Sequence, residues 1–133
     1  MRVTKYILGM ILSLSVVAQA ELPNHTAGQT ALKKIVGNNG GLNLNMWATI
    51  VDRDGLVQVV AFSGMDRGEQ WPGSRVISAQ KANTANAFSL PGLALSTANL
   101  FSAVQPGGSL FGLQHSNPVD TSVAYGGNAK NFG

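Results

Sequence analysis

The sequence predicts an α/β domain of the α+β type, in which helices pack on an antiparallel sheet. Two runs rich in β-branched and aromatic residues, Trp47–Val51 and Leu56–Phe62, flank the tetrapeptide Asp52–Gly55. Its Asp-Gly pair suits a tight turn, so the two runs are expected to form a hairpin. Because the second run is almost continuously apolar, both faces of this hairpin should be covered. Helices packed on the sheet, or a subunit interface on its second face, would cover them.

The first helix is predicted over Ala27–Val36, with Thr26 as its N-cap. The second helix is predicted to start at a Pro-Gly-Ser sequence, with Ser74 as its N-cap, and to end at Phe88. Residues at a spacing of three in this helix are mostly alanines. Their small side chains permit the helix to approach the sheet, or another helix, closely. Its other face carries few charges, which indicates that this face is partly buried, as it would be in an oligomer.

The remaining predicted elements are short. Ser96–Val104 favours a short helix, Gln105–Gly108 is typical of a turn, and Ser109–Leu113 reads as an apolar strand. Beyond these, only Thr121–Tyr125 resembles a strand within a polar stretch rich in Gly and Asn. We see no repeat and no second domain, so residues 21–133 are interpreted as a single domain.

The first twenty residues have the pattern of a cleavable signal peptide. Arg2 and Lys5 form a basic start, Tyr6–Val17 is mostly apolar, and Ala18-Gln19-Ala20 is a typical cleavage site. The apolar run is short for a membrane span, so no stable anchor is expected. The mature chain is therefore predicted to begin at Glu21 and to be periplasmic or secreted.

Composition excludes several classes of function. Removing the signal peptide lowers the formal net charge from +3 to +1, and no basic cluster is left that would indicate a nucleic-acid partner. The absence of cysteine excludes disulfides, thiolate metal sites and a cysteine nucleophile. No nucleophile elbow or phosphate-binding loop is present. The residues therefore identify no catalytic set, and an enzyme is the less favoured interpretation.

Three residues are candidate ligands for a metal or haem iron. His25 and His115 are the only histidines, and a neutral imidazole is the commonest metal ligand in proteins. Met65 is a third candidate, because a thioether can be an axial ligand of haem iron. Each of the three also has an ordinary interpretation, as a loop histidine or as a methionine that fills the core. Asp52 and Asp54 are best interpreted as turn residues.

Four segments in order resemble the GlcG/HbpS-like family, which includes the C-terminal domain of PduO-type proteins. They are Ile50–Gly55 with the apolar run to Phe62, Met65-Asp66, the helix segment Ser78–Phe88 (SAQKANTANAF), and Gln105–Gly108 before a short strand. Gly64 stands where the family usually has arginine. The resemblance covers most of Asn43–Leu113.

This resemblance implies a profilin-like antiparallel sheet with helices packed on it, assembled into homo-oligomers. It also implies haem as the cofactor and a role in haem or iron handling or sensing. It aligns no motif histidine with His25 or His115. The family's domain normally continues past the position of Gly133 into a Gly-rich strand, so the resemblance implies C-terminal truncation.

Three interpretations therefore stay open. The first is an exported haem-binding protein. The second is a small-molecule enzyme or accessory subunit that acts on a hydroxy acid or a corrinoid. The third is a truncated product without function.

Overall fold

The computed structural model describes residues 21–38 and 42–113 of the chain. Two helices lie on a two-stranded antiparallel sheet, so the predicted α+β class is confirmed. In chain order the elements are α1 (His25–Gly37), β1 (Trp47–Val51), β2 (Val57–Phe62), α2 (Ser74–Phe88), a 3₁₀ helix (Thr97–Leu100) and α3 (Phe101–Val104). The predicted signal peptide, the predicted strand Thr121–Tyr125 and His115 lie outside the described residues.

The hairpin forms as the sequence predicts. Trp47 pairs with Phe62 at its open end, and a register shift at Ile50 and Val51 brings Val51 opposite Val57 at the turn. Gly55 has a φ of +84°, a conformation that favours glycine. The strongly apolar composition of both strands is explained by their position in the middle of the molecule.

Each face of the hairpin is covered by a different helix. Because side chains alternate along a strand, Ile50 and Val59 lie on one face, where both approach Gly28 of α1 closely. Trp47 and Val60 lie on the other face and form the core cluster with Ala79 of α2. The prediction that both faces are covered is therefore confirmed, with both covers supplied by the same chain.

The starts of both long helices differ from the sequence prediction by one or two residues. The N-cap of α1 is Asn24, whose side chain accepts a hydrogen bond of 3.0 Å from the Ala27 amide, so the prediction of Thr26 was wrong. Asparagine is the better N-cap of the two residue types. The N-cap of α2 is Gly73, because the Ser74 hydroxyl instead donates to the Trp71 carbonyl. A backbone turn from Trp71 leads directly into the helix.

The predicted strand Ser109–Leu113 was also wrong. The Leu110 amide donates to the Ala103 carbonyl, and two successive turns follow, closed by hydrogen bonds from Phe111 and Leu113. A side chain at Gly108 would lie within 2.2 Å of the Ala103 carbonyl oxygen. The segment therefore folds back tightly onto α3, where no neighbouring strand edge exists among the described residues.

Candidate functional site: a trough along the outer face of α2

The helix α2 has two sides with different surroundings. Val76 and Ala79 face the hairpin, where Ala79 is buried. Ile77 and Lys81 are one helical turn apart on another side, and each lines two neighbouring clefts. Since residues four apart in a helix are neighbours on its surface, these two residues form the ridge between the clefts. We call the two clefts together the α2 trough.

The larger cleft of the trough lies between the C-terminal half of α2 and the segment that contains the 3₁₀ helix and α3. It has a volume of about 510 Å³. Its lining consists mainly of apolar side chains with a few hydroxyl and amide groups: Ile77, Gln80, Lys81, Thr84, Ser96, Thr97, Ala98, Leu100, Phe101, Val104 and Leu113.

The smaller cleft lies between the N-terminal half of α2 and the chain that enters β1. It has a volume of about 350 Å³ and is lined by Leu44, Asn45, Met46, Trp47, Glu69, Trp71, Ser74, Ile77, Ser78 and Lys81. Both tryptophans of the chain contribute to it. Trp47 is nearly buried and donates a hydrogen bond of 3.0 Å from Nε1 to the Trp71 carbonyl, whereas the Trp71 side chain is 70% exposed.

Two charged residues of opposite sign line the trough. Lys81 is exposed at the ridge, and no described carboxylate lies within ion-pair distance of it. Glu69 lies in the smaller cleft, where its Oε2 accepts hydrogen bonds from the Met65 amide and the Asn45 side chain. The trough therefore has a positive charge between its two clefts and a negative charge in the smaller cleft.

This arrangement suits a flat apolar ligand with an acidic group. Ligand sites in proteins are typically clefts of about 300–1,000 Å³ with apolar and aromatic linings and a few polar groups. Both clefts fall within that range. No cluster of three or more metal-ligating side chains occurs in the described part of the chain.

The predicted ligand residues that the structure describes do not line the trough. Met65 is 87% exposed, so it does not fill the core. It lies in the loop between β2 and α2, which is held by Gln70. This buried amide accepts a hydrogen bond from the Gly64 amide and donates one to the Asp66 carbonyl.

His25 is the first residue of α1, and α1 lies on the face of the hairpin away from the trough. Its side chain is half-buried. Its Nε2 is shielded from solvent and has no hydrogen-bond partner among the described residues. Buried polar atoms rarely lack a partner, so this nitrogen stays a candidate for a ligand of its own.

Met46 and Lys81 are site residues that the sequence analysis did not identify. Met46 is half-buried in the smaller cleft, and its backbone is fixed to Ser63 through two hydrogen bonds. Its thioether is the type of soft ligand that haem iron accepts. Met46 precedes a β-strand, where a methionine is ordinarily part of the core, so no signal in the sequence distinguishes it.

Asp52 has the structural role that the sequence predicts. Its Oδ1 accepts hydrogen bonds of 3.0 Å from the amides of Asp54 and Leu56, and its Oδ2 accepts one of 2.7 Å from the Gln58 side chain. Both oxygens of its carboxylate thus accept hydrogen bonds within the hairpin. It is not part of the α2 trough.

Comparison with protein-family models gives one finding. The model of the HbpS-like family, described as haem degrading protein HbpS-like, matches residues 24–129. The chain belongs to this family. The HbpS-like match includes every residue that lines the α2 trough, and also both histidines. It confirms the family that the ordered motifs between Ile50 and Gly108 indicate.

Neither curated proteins nor solved structures show a similarity beyond the HbpS-like family, and the described helices include no membrane span. A search of curated proteins and a search of solved structures each found no significant match. Within residues 21–38 and 42–113, no helix combines the length and the apolar character needed to cross a bilayer.

Proposed function

We propose that this HbpS-like chain is an exported haem-binding protein that holds the porphyrin in the α2 trough. Membership of a family described by its relation to haem is the observation that carries this proposal. The trough supports it, since its apolar and aromatic lining matches the chemistry of a porphyrin ring. Lys81 supplies a positive charge for an acidic substituent.

The protein's part in such a complex is to bind and to shield. Phe101 and Leu100 in the larger cleft, and Trp71 in the smaller one, offer flat or branched apolar surfaces that exclude water from a bound ring. Met46 is the soft ligand available within the trough, and His25 and His115 are the imidazole candidates outside its lining. Bound haem would bring redox chemistry of its own iron, which these residues would tune.

A haemin titration of the mature protein, residues 21–133, tests the proposal. We expect a saturable Soret band shifted from that of free haemin, together with quenching of tryptophan emission, because both tryptophans line the smaller cleft. Absence of a shifted, saturable band would contradict the proposal. An equal amount of heat-unfolded protein is the control for non-specific association.

The iron ligand is identified by a set of alanine variants. Met46→Ala, Met65→Ala, and the double variant His25→Ala with His115→Ala are compared in the same titration. We expect the Soret position to change in the variant that lacks the ligand, whereas loss of an apolar contact alone would lower affinity without moving the band. A changed Soret position in Met65→Ala, and not in Met46→Ala, would place the iron outside the trough, since Met65 does not line it.

Haem degradation is a second candidate function, and the description of the family favours it. It differs from simple binding in that the porphyrin is consumed. We expect a degrading protein to bleach the Soret band in the presence of a reductant together with dioxygen, or of peroxide, as the oxidant of the ring, and to release iron, measured with a ferrous chelator. Bleaching at the rate seen for haemin with serum albumin would exclude this activity.

Export and self-assembly are further parts of the proposal. The pattern of Arg2, the apolar run and Ala18-Gln19-Ala20 supports cleavage after Ala20. Large apolar side chains that are exposed among the described residues and do not line the trough support a homo-oligomer: Leu22, Ile35, Leu42, Leu56, Met65, Leu90, Leu93 and Phe111. N-terminal sequencing of protein from the cell envelope and light scattering after gel filtration test the two claims separately.

A further inference from the structure

We propose that Lys81 anchors a carboxylate of the bound ligand, so that the α2 trough selects porphyrins by their acidic groups and not only by their metal. The proposal rests on the proposed function and adds a recognition rule to it. Its consequence is that the metal-free dicarboxylate should bind, and that neutralising its two carboxylates should weaken binding.

The position of Lys81 is the first observation behind this inference. It is one of two residues shared by the two clefts, and the other, Ile77, is apolar. A ligand that fills the larger cleft therefore reaches Lys81 at the edge of that cleft. A long, flexible ammonium side chain at an apolar edge can pair with an acidic group that stays close to solvent.

The absence of another partner for Lys81 is the second observation. No Asp or Glu occurs anywhere in α2, so no carboxylate three or four residues away on the helix can pair with it. Elsewhere in residues 21–38 and 42–113, no acidic side chain lies within ion-pair distance of its Nζ. As far as residues 21–38 and 42–113 are concerned, the Lys81 ammonium is thus available to a ligand without the loss of an existing ion pair.

The charge of Glu69 determines which of the two clefts receives the acidic group of the ligand. Its Oε2 accepts hydrogen bonds from the Met65 amide and the Asn45 side chain, which hold the carboxylate beside the smaller cleft. A ligand carboxylate near Glu69 would meet a like charge. The structure therefore assigns the acidic edge of the ligand to Lys81 and the larger cleft.

The experiment compares two fluorescent probes, protoporphyrin IX and its dimethyl ester, on three versions of the mature protein. Lys81→Met keeps the length and apolar stem of the side chain and removes its charge. Lys33→Met removes an exposed lysine of α1 that lines neither cleft and is the matched control. Equal thermal melting curves for the three proteins establish that each is folded.

We expect Lys81→Met to weaken protoporphyrin IX binding about two- to fivefold, the range of a solvent-exposed ion pair. Binding of the dimethyl ester should be the same for Lys81→Met and the wild-type protein. Raising the salt concentration should weaken the dicarboxylate complex of the wild-type protein, and this salt effect should shrink in Lys81→Met. Lys33→Met should match the wild-type protein in every measurement.

The outcomes separate this inference from the proposed function. Equal affinity of the wild-type protein and Lys81→Met for protoporphyrin IX would overturn the role of Lys81 and leave haem binding intact. An equal loss of both probes in Lys81→Met would also overturn it, because the effect would not depend on the carboxylates. A wild-type protein that binds neither probe nor haemin would overturn both proposals.

Discussion

The two sides of α2 differ in how completely they are packed. On the inner side, Val76 and Ala79 pack on the hairpin. At the border of the smaller cleft, the Ser78 hydroxyl lies 2.6 Å from the Thr49 hydroxyl in a hydrogen bond. On the outer side, Ile77 and Lys81 border clefts of about 510 and 350 Å³. The comparison shows that one helix can supply the core with one side and border open clefts, a candidate ligand site, with the other.

The difference predicts that stability and binding can be changed separately. Substitutions on the inner side should unfold the protein, since its interior is closely packed and each lost contact has no replacement. Substitutions on the outer side should leave folding intact and change only ligand affinity. Val60→Asp and Phe101→Ala test this separation, and Asp52→Ala tests the hairpin turn.

The largest loss of stability is expected for Val60→Asp. Val60 is 1% exposed in the core between β2 and α2, so the substitution would bury a carboxylate without a partner. We expect a loss of more than about 4 kcal/mol in the free energy of unfolding, measured by urea denaturation. Met65→Asp, at a position that is 87% exposed, is the control and should change stability by less than about 0.5 kcal/mol. A folded Val60→Asp protein would show that the hairpin core is not closed.

A smaller loss is expected for Asp52→Ala at the hairpin turn. The substitution removes the acceptor of two backbone amides and of the Gln58 side chain. Because these bonds are largely solvent-accessible, we expect a loss of about 1–2 kcal/mol in the free energy of unfolding, measured by thermal or urea denaturation. Asp54→Ala is the matched control, and its loss should be at most about 0.5 kcal/mol. Equal losses of unfolding free energy in the two variants would contradict the proposed role of Asp52 in the turn.

The smallest effect on stability, with a clear effect on binding, is expected for Phe101→Ala. Its ring is 68% exposed and lines the larger cleft, so the fold loses little apolar burial while a ligand loses an aromatic contact. We expect unfolding to change by less than about 0.5 kcal/mol and haemin affinity to fall about three- to tenfold. Phe111→Ala, also exposed but outside both clefts, should leave haemin affinity unchanged. Equal affinities in the two variants would place the ligand outside the larger cleft.

The sequence predicted the hairpin well because the signals were local. The Asp-Gly turn and two apolar runs are sufficient to pair β1 with β2, and Asp52 stabilises the turn with its own neighbours. The prediction of a strand over Ser109–Leu113 was wrong for the converse reason. A short apolar run needs a strand edge beside it, and that segment lies instead against Ala103. The local composition of a segment does not indicate which other segment it packs against.

The low charge of α2 has an explanation within one chain, and the oligomer that the sequence suggests stays a prediction. The asparagine at position 86 donates hydrogen bonds to the carbonyls of Asp52 and Arg53, and its own Oδ1 accepts one of 2.7 Å from Arg53. Asn83 lies against Gly55 of the same turn. These uncharged polar residues therefore connect the helix to the hairpin turn within one chain, and they do not by themselves indicate an interface between subunits.

The sequence by itself determined the family, the α+β class, the hairpin and the approximate helices, because each depends on motifs or periodicities within a few residues. Only the tertiary structure decided where a ligand site can lie. The α2 trough combines Leu44, Trp71, Lys81 and Phe101, which are distant in the sequence and become neighbours when the chain packs on both sides of α2. No local pattern marks such a set, since a cleft is produced by the spacing between packed elements.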